Sequence, residues 1–306
     1  MRFSKKGAGT IMVRNDRGFQ IAANIMLSVL ALICVIPFVL LVASSITSEQ
    51  ALMRDGYTFF PKELSFDAYK YLLFDSMDIL RGYLISACVT VAGTLGNLIL
   101  TTLFAYPLSR RDLPGKSFFA FFIFFTMLFN GGLVPSYIMW TQTFHIKNTW
   151  WAYIVPGLLL NAFYVIMMRT YFKTNIPEEV VEAARIDGAG EWRILTQVVL
   201  PMSVPIIATV TLLVGLGYWN NWTNGLYYIS DNSMYSIQTL LNNMLMDVQY
   251  LLSHAQSGVT ANQSIALPAT SIKMAVAVLG ALPVLVVYPF FQNYFIKGIV
   301  IGAVKG

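Results

Sequence analysis

The sequence has few charged side chains. Asp, Glu, Lys and Arg make up 11% of its 306 residues, whereas 57% are hydrophobic. Soluble domains carry about 25% charged residues, so this chain has too little polar surface to solvate a globule of its size. The charges are also clustered, which leaves long uncharged stretches between them. These properties exclude an ordinary soluble fold and predict a polytopic membrane protein.

Cysteine and histidine are also scarce, with two of each in the chain. Cys34 and Cys88 both fall within apolar stretches and offer no disulfide framework. His145 and His254 are isolated and lack the spacing of metal ligands. No Ser–His–Asp or paired-carboxylate arrangement is suggested within the apolar stretches. We therefore predict no catalytic residue, no metal site and no enzyme activity in this chain.

A complete phosphate-binding loop is missing as well. Gly115-Lys116-Ser117 resembles the end of a P-loop, but the pattern requires glycine where this chain has Arg110, and no strand precedes it. We interpret the segment as a basic turn. Any ATP that drives this protein would be bound by another chain, so no cofactor is predicted here.

Long apolar runs are the dominant feature of the sequence. A helix needs about 20 apolar residues to cross the ~30 Å hydrocarbon core of a bilayer. Runs such as IMLSVLALICVIPFVLLVA lack the alternation of barrel strands. We therefore predict an all-α polytopic membrane protein with six transmembrane helices. They lie at about Ile21–Ala43, Leu84–Pro107, Phe118–Trp140, Trp151–Met168, Pro205–Trp222 and Ile272–Ile296.

The distribution of Lys and Arg predicts the orientation. If six helices cross the membrane, 14 of the 20 basic residues lie on the side of the amino terminus. Since cytoplasmic loops are enriched in Lys and Arg, both termini are predicted to be cytoplasmic. Residues 1–20 then form a cytoplasmic segment and residues 21–306 a transmembrane domain with its core at about 84–296. The net charge of +5 follows from this topology, and no motif suggests a nucleic-acid partner.

Two external segments are long. Residues 44–83 carry mixed charges and aromatic rings, and residues 223–271 are rich in Asn, Ser, Gln and Tyr but contain no Lys or Arg. Two interpretations remain open for them. They are either solvated connections or a docking surface for an external partner.

The internal loop at residues 169–201 is rich in charge yet has helical patterning. Asn175 can cap a helix, with Pro177 in its first turn, followed by Glu178 and Glu179 where acidic residues favour the helix dipole. Gly188-Ala189-Gly190 predicts a break. A second helix is expected after it, with an apolar stripe of Trp192, Leu195 and Val199, ending at Pro201. Two short helices joined by a glycine turn indicate a surface built to contact a partner.

This loop reads EEVVEAARIDGAGEWRILTQVVLP. It resembles the signature of ABC-importer permeases: Glu-Ala-Ala, three residues, Gly, nine residues, Ile, one residue, Leu-Pro. The matching positions, with Val in place of Ile, are Glu182, Ala183, Ala184, Gly188, Val198, Leu200 and Pro201. Four further segments are similar to the carbohydrate branch of that family, which includes the maltose permease. They are AYPLSRRDLPGK (105–116), FNGGLVPSY (129–137), RTYFKTNIPEE (169–179) and FIKGIVIGAVKG (295–306).

The resemblance implies a type I ABC importer permease in a bacterial plasma (inner) membrane, with a sugar, and more narrowly an oligosaccharide or polysaccharide, as its substrate. It implies a second homologous permease, two ATPase subunits that bind ATP and Mg, and an extracellular solute-binding protein. It assigns coupling to the ATPase to Glu182, Ala183, Ala184, Asp187, Gly188, Leu200 and Pro201. The terminal AVKG either reaches the ATPase or is a frayed end.

Few ionisable side chains fall inside the predicted spans, and such residues usually mark ion paths. Neutral amides and aromatic rings are present instead, and both suit sugars. The candidate substrate-path residues are Asn130, Trp219, Asn220, Trp222 and Asn224. The alternative for the tryptophans is an ordinary aromatic belt at the bilayer interface. The alternative for Asn130-Gly131-Gly132 is a kink in the third span.

Three other functions compete with sugar import. An ABC permease for peptides or amino acids would share the same signature. An ion-coupled secondary transporter would work alone, and internal repeats typical of that class are not seen. A membrane scaffold would show no dependence on any substrate.

Overall fold

The computed structural model describes residues 17–75, 77–256 and 270–303. Within these ranges the chain is helical, and its only β-type pairing is an isolated bridge between Thr47 and Leu64. The helices are α1 (Arg17–Ser45), α2 (Glu49–Asp55), α3 (Asp67–Lys70), α4 (Met77–Ser109), α5 (Lys116–Leu128), α6 (Leu133–Ile138), α7 (Trp151–Ile154), α8 (Ala162–Asn175), α9 (Glu178–Ile186), α10 (Glu191–Ile194), α11 (Leu200–Met202), α12 (Val204–Trp219), α13 (Thr223–Tyr228), α14 (Ile237–Gln256) and α15 (Thr270–Ala303).

Short turns of other helix types extend three of these elements. π-Helical turns follow α3 at Tyr71–Asp75, α6 at Met139–Thr143 and α10 at Leu195–Val199. A 3₁₀ turn at Asn232–Met234 precedes α14. The predicted external segment 223–271 therefore contains two α-helices and this turn, and its residues 257–269 lie outside the described part of the chain.

Three described helices, α1, α4 and α15, are long and apolar enough to cross a membrane, and two bent helix pairs raise the possible number to five. The first, second and sixth predicted spans correspond to the three single helices. The third is broken, because α5 and the Leu133–Thr143 helix meet at 111°. The break follows from Asn130-Gly131-Gly132, where Gly132 adopts a φ of 87° and its N–H bonds to the side chain of Asn130.

The prediction of a continuous fourth span was wrong. Residues 151–168 form α7, a turn and α8 rather than one helix. Gly157, which follows Pro156, has a φ of 74°, a left-handed conformation that interrupts a helix. Asn161 then begins α8, since its side-chain oxygen accepts a hydrogen bond from the N–H of Phe163 at 2.9 Å.

The helix α4 lies at the centre of the chain. It packs against α8 and α12, and α12 packs against α15, which also contacts α1. Buried Asn97 on α4 donates to the carbonyl of Leu158 at 2.6 Å and accepts from Thr101 at 3.0 Å. This satisfied polar group attaches the turn between α7 and α8 to the centre of the structure. In contrast, the apolar residues of α1 are mostly exposed, as expected of a helix surrounded by lipid.

Candidate coupling site

The loop singled out by its charge folds into two short helices, α9 and α10, with the described chain continuing through a π-turn into α11. Glu178 and Glu179 occupy the first turn of α9 as predicted. The predicted cap at Asn175 was wrong, because Asn175 is the last residue of α8 and its amide donates to the carbonyl of Tyr171. Pro177 takes the cap position instead, in an extended conformation that its ring favours.

Gly188 forms the predicted break. Its φ of 80° is left-handed, and its N–H bonds to the carbonyl of Arg185 while the N–H of Ala189 bonds to that of Ala184, each at 3.0 Å. This pair of bonds is the Schellman ending of a helix, in which glycine is the usual left-handed residue. A Cβ at residue 188 would meet no atom within 4 Å. Glycine is therefore favoured here by the left-handed backbone conformation and not by crowding.

One face of α9 packs into the chain and another is free. Val181 is buried in the main apolar core, whereas Glu182, Ala183 and Asp187 are exposed and Ala184 is half-buried. Ile186 is 87% exposed, which is unusual for an isoleucine. The signature residues on α9 therefore border an apolar side chain that the described part of the chain leaves uncovered.

The second helix differs from its predicted stripe. Leu195 and Val199 are buried, but Trp192 is 69% exposed and lies beside Arg110 and Asp112 instead of in the core. The helical segment ends at Met202, one residue beyond the predicted Pro201. Leu200 is half-buried and Pro201 exposed, and the chain bends by 82° into α12 just after them.

Polar side chains join this loop to the end of α4. Arg185 donates to Asp112 at 2.7 Å and, through Nε, to Glu191 at 2.9 Å. The other oxygen of Glu191 accepts from the phenol of Tyr106 at 2.5 Å. The hydrogen bond from Arg185 lowers the pKa of Asp112. Tyr106 and Asp112 both lie in the AYPLSRRDLPGK segment, but no local pattern predicted these partners.

A second connection lies at the other end of α9. Arg111 pairs with Glu178 at 3.1 Å, and the guanidinium of Arg169 on α8 donates to the carbonyl of Leu108 at 3.1 Å. The segment Gly115-Lys116-Ser117 is the turn that begins α5, and Lys116 donates to the carbonyl of Arg110. The loop and the turn after α4 thus form one charged surface.

Two of the candidate substrate-path residues are buried and satisfied within the chain. Trp219 donates from its indole to the carbonyl of Gly280 at 3.0 Å. Asn224 donates to the carbonyl of Pro156 at 3.0 Å. Both side chains therefore hold neighbouring segments together.

The other candidates are more accessible. Asn220 ends α12 and is exposed, and Trp222 is 39% exposed. Asn130 is exposed, although its side-chain oxygen accepts from Gly132. Four of the candidates lie close together where α12 ends and α13 begins: Trp219, Asn220, Trp222 and Asn224. Asn130 lies elsewhere, in the break between α5 and α6. Within the described ranges no group of His, Cys, Asp and Glu is placed to hold a metal ion.

Comparison with known proteins agrees with the helical arrangement. Residues 98–301 match the family described as binding-protein-dependent transport system inner membrane component. The polygalacturonan/rhamnogalacturonan transport system permease protein YtcP of Bacillus subtilis is 37% identical over 95% of this chain and 99% of its own. Protein LplC of the same organism is 35% identical over 95% and 96% of the two chains.

A solved structure is similar along nearly its whole length. It belongs to a bacterial ABC transporter involved in the import of the acidic polysaccharide alginate, with a TM-score of 0.78 and 30% identity. The similarity covers 94% of this chain and 99% of that one. From the family match and these relatives, this chain belongs to the inner membrane components of binding-protein-dependent transport systems, with the fold of an ABC importer permease.

Proposed function

We propose that this chain is a permease subunit of an ATP-driven importer of sugars, and more narrowly of oligosaccharides. It would form half of the translocation path together with a second homologous permease. Two ATPase subunits would bind ATP and Mg, and an extracellular binding protein would deliver the sugar. The observation that carries this proposal is the exposed face of α9 beside the Gly188 turn, in a chain whose relatives are named for polygalacturonan, rhamnogalacturonan and alginate transport.

Within this proposal the exposed signature residues contact an ATPase subunit. Glu182 offers a charge, Ala183 permits close approach, and Ile186 supplies an apolar contact that a partner would cover. Asp187, Gly188, Leu200 and Pro201 shape the surface around them. For the sugar, exposed Asn220 and Trp222 offer an amide and a ring, while Trp219 and Asn224 would support the path from behind.

We also propose six membrane crossings with both termini cytoplasmic. Three contacts support this number, because residues that touch outside the bilayer lie on the same side of it. Arg185 contacts Asp112, Ser230 contacts Asn148, and Ser271 contacts Glu49. If α1, α4, α12 and α15 each cross once, these pairs require two further crossings. One lies between residues 112 and 148 of the sequence, and the other lies between residues 148 and 185. The α5–α6 pair and the α7–α8 pair supply them.

This topology can be tested with an impermeant maleimide after Cys34 and Cys88 are replaced by Ala. Asn232→Cys, in the segment after α13, is expected to react from outside intact cells. Asp187→Cys, next to the turn of the signature loop, is expected to react only after the cells are opened. Labelling of both or neither in intact cells would contradict the topology.

The function itself is tested by purifying the chain from its native membrane in mild detergent and identifying what accompanies it. We expect a second permease, an ATPase and a sugar-binding protein. In proteoliposomes, that assembly should hydrolyse ATP faster when the binding protein and an oligosaccharide are added. Stimulation by a peptide or amino acid instead would reject the sugar. Transport by this chain alone, driven by an ion gradient without ATP, would reject the importer.

A further inference from the structure

The guanidinium of Arg185 lies where three parts of the chain meet. It donates to Asp112 in the turn after α4 and to Glu191 at the start of α10, while Arg185 itself lies in the last turn of α9. Glu191 also accepts from Tyr106 on α4. We call these four residues the clamp: Tyr106, Asp112, Arg185 and Glu191. Charge-assisted bonds of this kind, with a planar guanidinium between two carboxylates, fix geometry as well as adding energy.

The clamp connects the two sides of the Gly188 turn. Between α9 and α10 the chain makes its turn at Gly188, around which there is open space. Such a turn by itself could flex, because glycine has few steric constraints. The bond from Arg185 to Glu191 connects the two sides of the turn directly. The bonds to Asp112 and from Tyr106 then fasten both sides to α4.

Arg185 is not on the face of α9 that is open to a partner. Its donors are directed to Asp112 and Glu191 within the chain, whereas Glu182, Ala183 and Ile186 remain uncovered. Through these bonds Arg185 connects α9 to α4. The helix α4 is central, since it packs against α8 and α12, and α12 packs against α15. A displacement of α9 would therefore reach the membrane helices through α4.

We infer that Arg185 is a positioning residue that makes α9, α10 and α4 move together, so that movement of α9 against an ATPase subunit is passed to α4 and not absorbed at the Gly188 turn. This inference rests on the proposed function, because it assumes that an ATPase binds the open face of α9.

The test uses the whole assembly in proteoliposomes and compares ATP hydrolysis with and without the binding protein and its sugar. Arg185→Gln should leave the basal rate and the amount of assembled complex unchanged. It should lower the ratio of stimulated to basal rate by about 2- to 30-fold, the range over which residues between coupled sites modulate coupling. Arg185→Lys keeps the charge but loses the planar guanidinium. Its stimulated-to-basal ratio should lie between those of the unaltered chain and of Arg185→Gln.

Arg193→Gln is the matched control. It removes the same charge one helix away, where the guanidinium bonds to Gln197 of its own segment and not to α4. We expect the stimulated-to-basal ratio of this control to match that of the unaltered chain. An equal loss in both variants would overturn the inference, since a general loss of positive charge would then explain the result.

Asp112→Asn alters the other partner of the Arg185–Asp112 hydrogen bond. It provides the test if the Arg185→Gln chain fails to assemble with its partners. It lies outside α9, so it alters the clamp without altering the docking helix. We expect a lower ratio from Asp112→Asn alone and no further loss when it is combined with Arg185→Gln. Independent losses that multiply, or a normal ratio in both single variants, would overturn the inference. Absence of any stimulation in the unaltered assembly would reject the proposed function instead.

Discussion

The carboxylate of Glu49, at the start of α2, accepts two hydrogen bonds of 2.9 Å from Ser271 at the start of α15, one from its backbone N–H and one from its hydroxyl. The other oxygen of Glu49 accepts from the N–H of Thr270 at 2.8 Å. The first N–H groups of a helix have no partner within it, and a negative charge there is favoured by the helix dipole. Glu49 therefore caps a long membrane helix from a distant segment.

The replacement Glu49→Gln should weaken this cap. Burial works to raise the pKa of Glu49, but the hydrogen bonds from Ser271 and Thr270 outweigh it and the pKa is lowered. A lowered carboxyl pKa stabilises the fold above the unfolded value and loses that effect as the pH falls through the folded value. At pH 7 we expect the melting temperature to fall by about 1 to 3 °C. The difference between the two proteins should narrow below about pH 4.

The measurement is thermal unfolding of the purified chain at a series of pH values. Asp78→Asn provides the control, because Asp78 forms an exposed ion pair of 3.8 Å with Arg81, and such pairs contribute little to stability. A difference that stays the same as the pH is lowered from 7 to well below 4 would show that the Glu49 charge is not what stabilises α15.

The turn at Gly188 gives a second prediction. Gly188→Ala places a side chain at a φ of 80° and should cost about 1–2 kcal/mol at that turn. Gly190→Ala should cost far less, since Gly190 has a φ of −71° and both positions have open space around them. The first variant should also lower stimulated ATP hydrolysis. Equal stability and equal stimulation in the two variants would contradict a conformational need for glycine at residue 188.

The contact between α4 and α12 gives a third prediction. A Cβ at Gly93 would lie 2.5 Å from the ring of Tyr218, whose hydroxyl is held by the carbonyl of Ile154 at 2.9 Å. Gly93→Ala should therefore destabilise the protein by about 1–3 kcal/mol. Gly215→Ala, at the same contact, would meet Thr94 at an ordinary 3.6 Å and should be tolerated. Thermal unfolding compares them, and an unchanged Gly93→Ala protein would show that Tyr218 can move.

The two tryptophans at the end of α12 should behave differently. Trp219→Ala removes a buried ring and its bond to Gly280, and should cost about 3–5 kcal/mol of stability. Trp222→Ala should cost less, about 1–2 kcal/mol, because 39% of this residue is already exposed, so the variant should still fold. If Trp222 lines the sugar path, transport by this folded variant should fall. Full transport would favour an interfacial anchor.

Sequence patterns were sufficient for the features that depend on neighbouring residues. Apolar runs indicated α1, α4 and α15, and the charge and glycine pattern of residues 178–190 indicated two helices with a turn at Gly188. They failed for residues 151–168, because a hydropathy window does not register that Gly157 turns the backbone. They also failed at Trp192, whose helical spacing placed it with Leu195 and Val199 although its ring is exposed.

The sequence alone determined the membrane class, the helical fold and the signature of the loop at 169–201, because span length, charge distribution and turn residues are local properties of the chain. The tertiary structure decided which polar groups meet. Arg185 and Asp112 are 73 residues apart, and Glu49 lies 222 residues from Ser271. No periodicity extends over such distances, so the clamp, the cap on α15 and the burial of Trp219 and Asn224 follow only from how the helices pack.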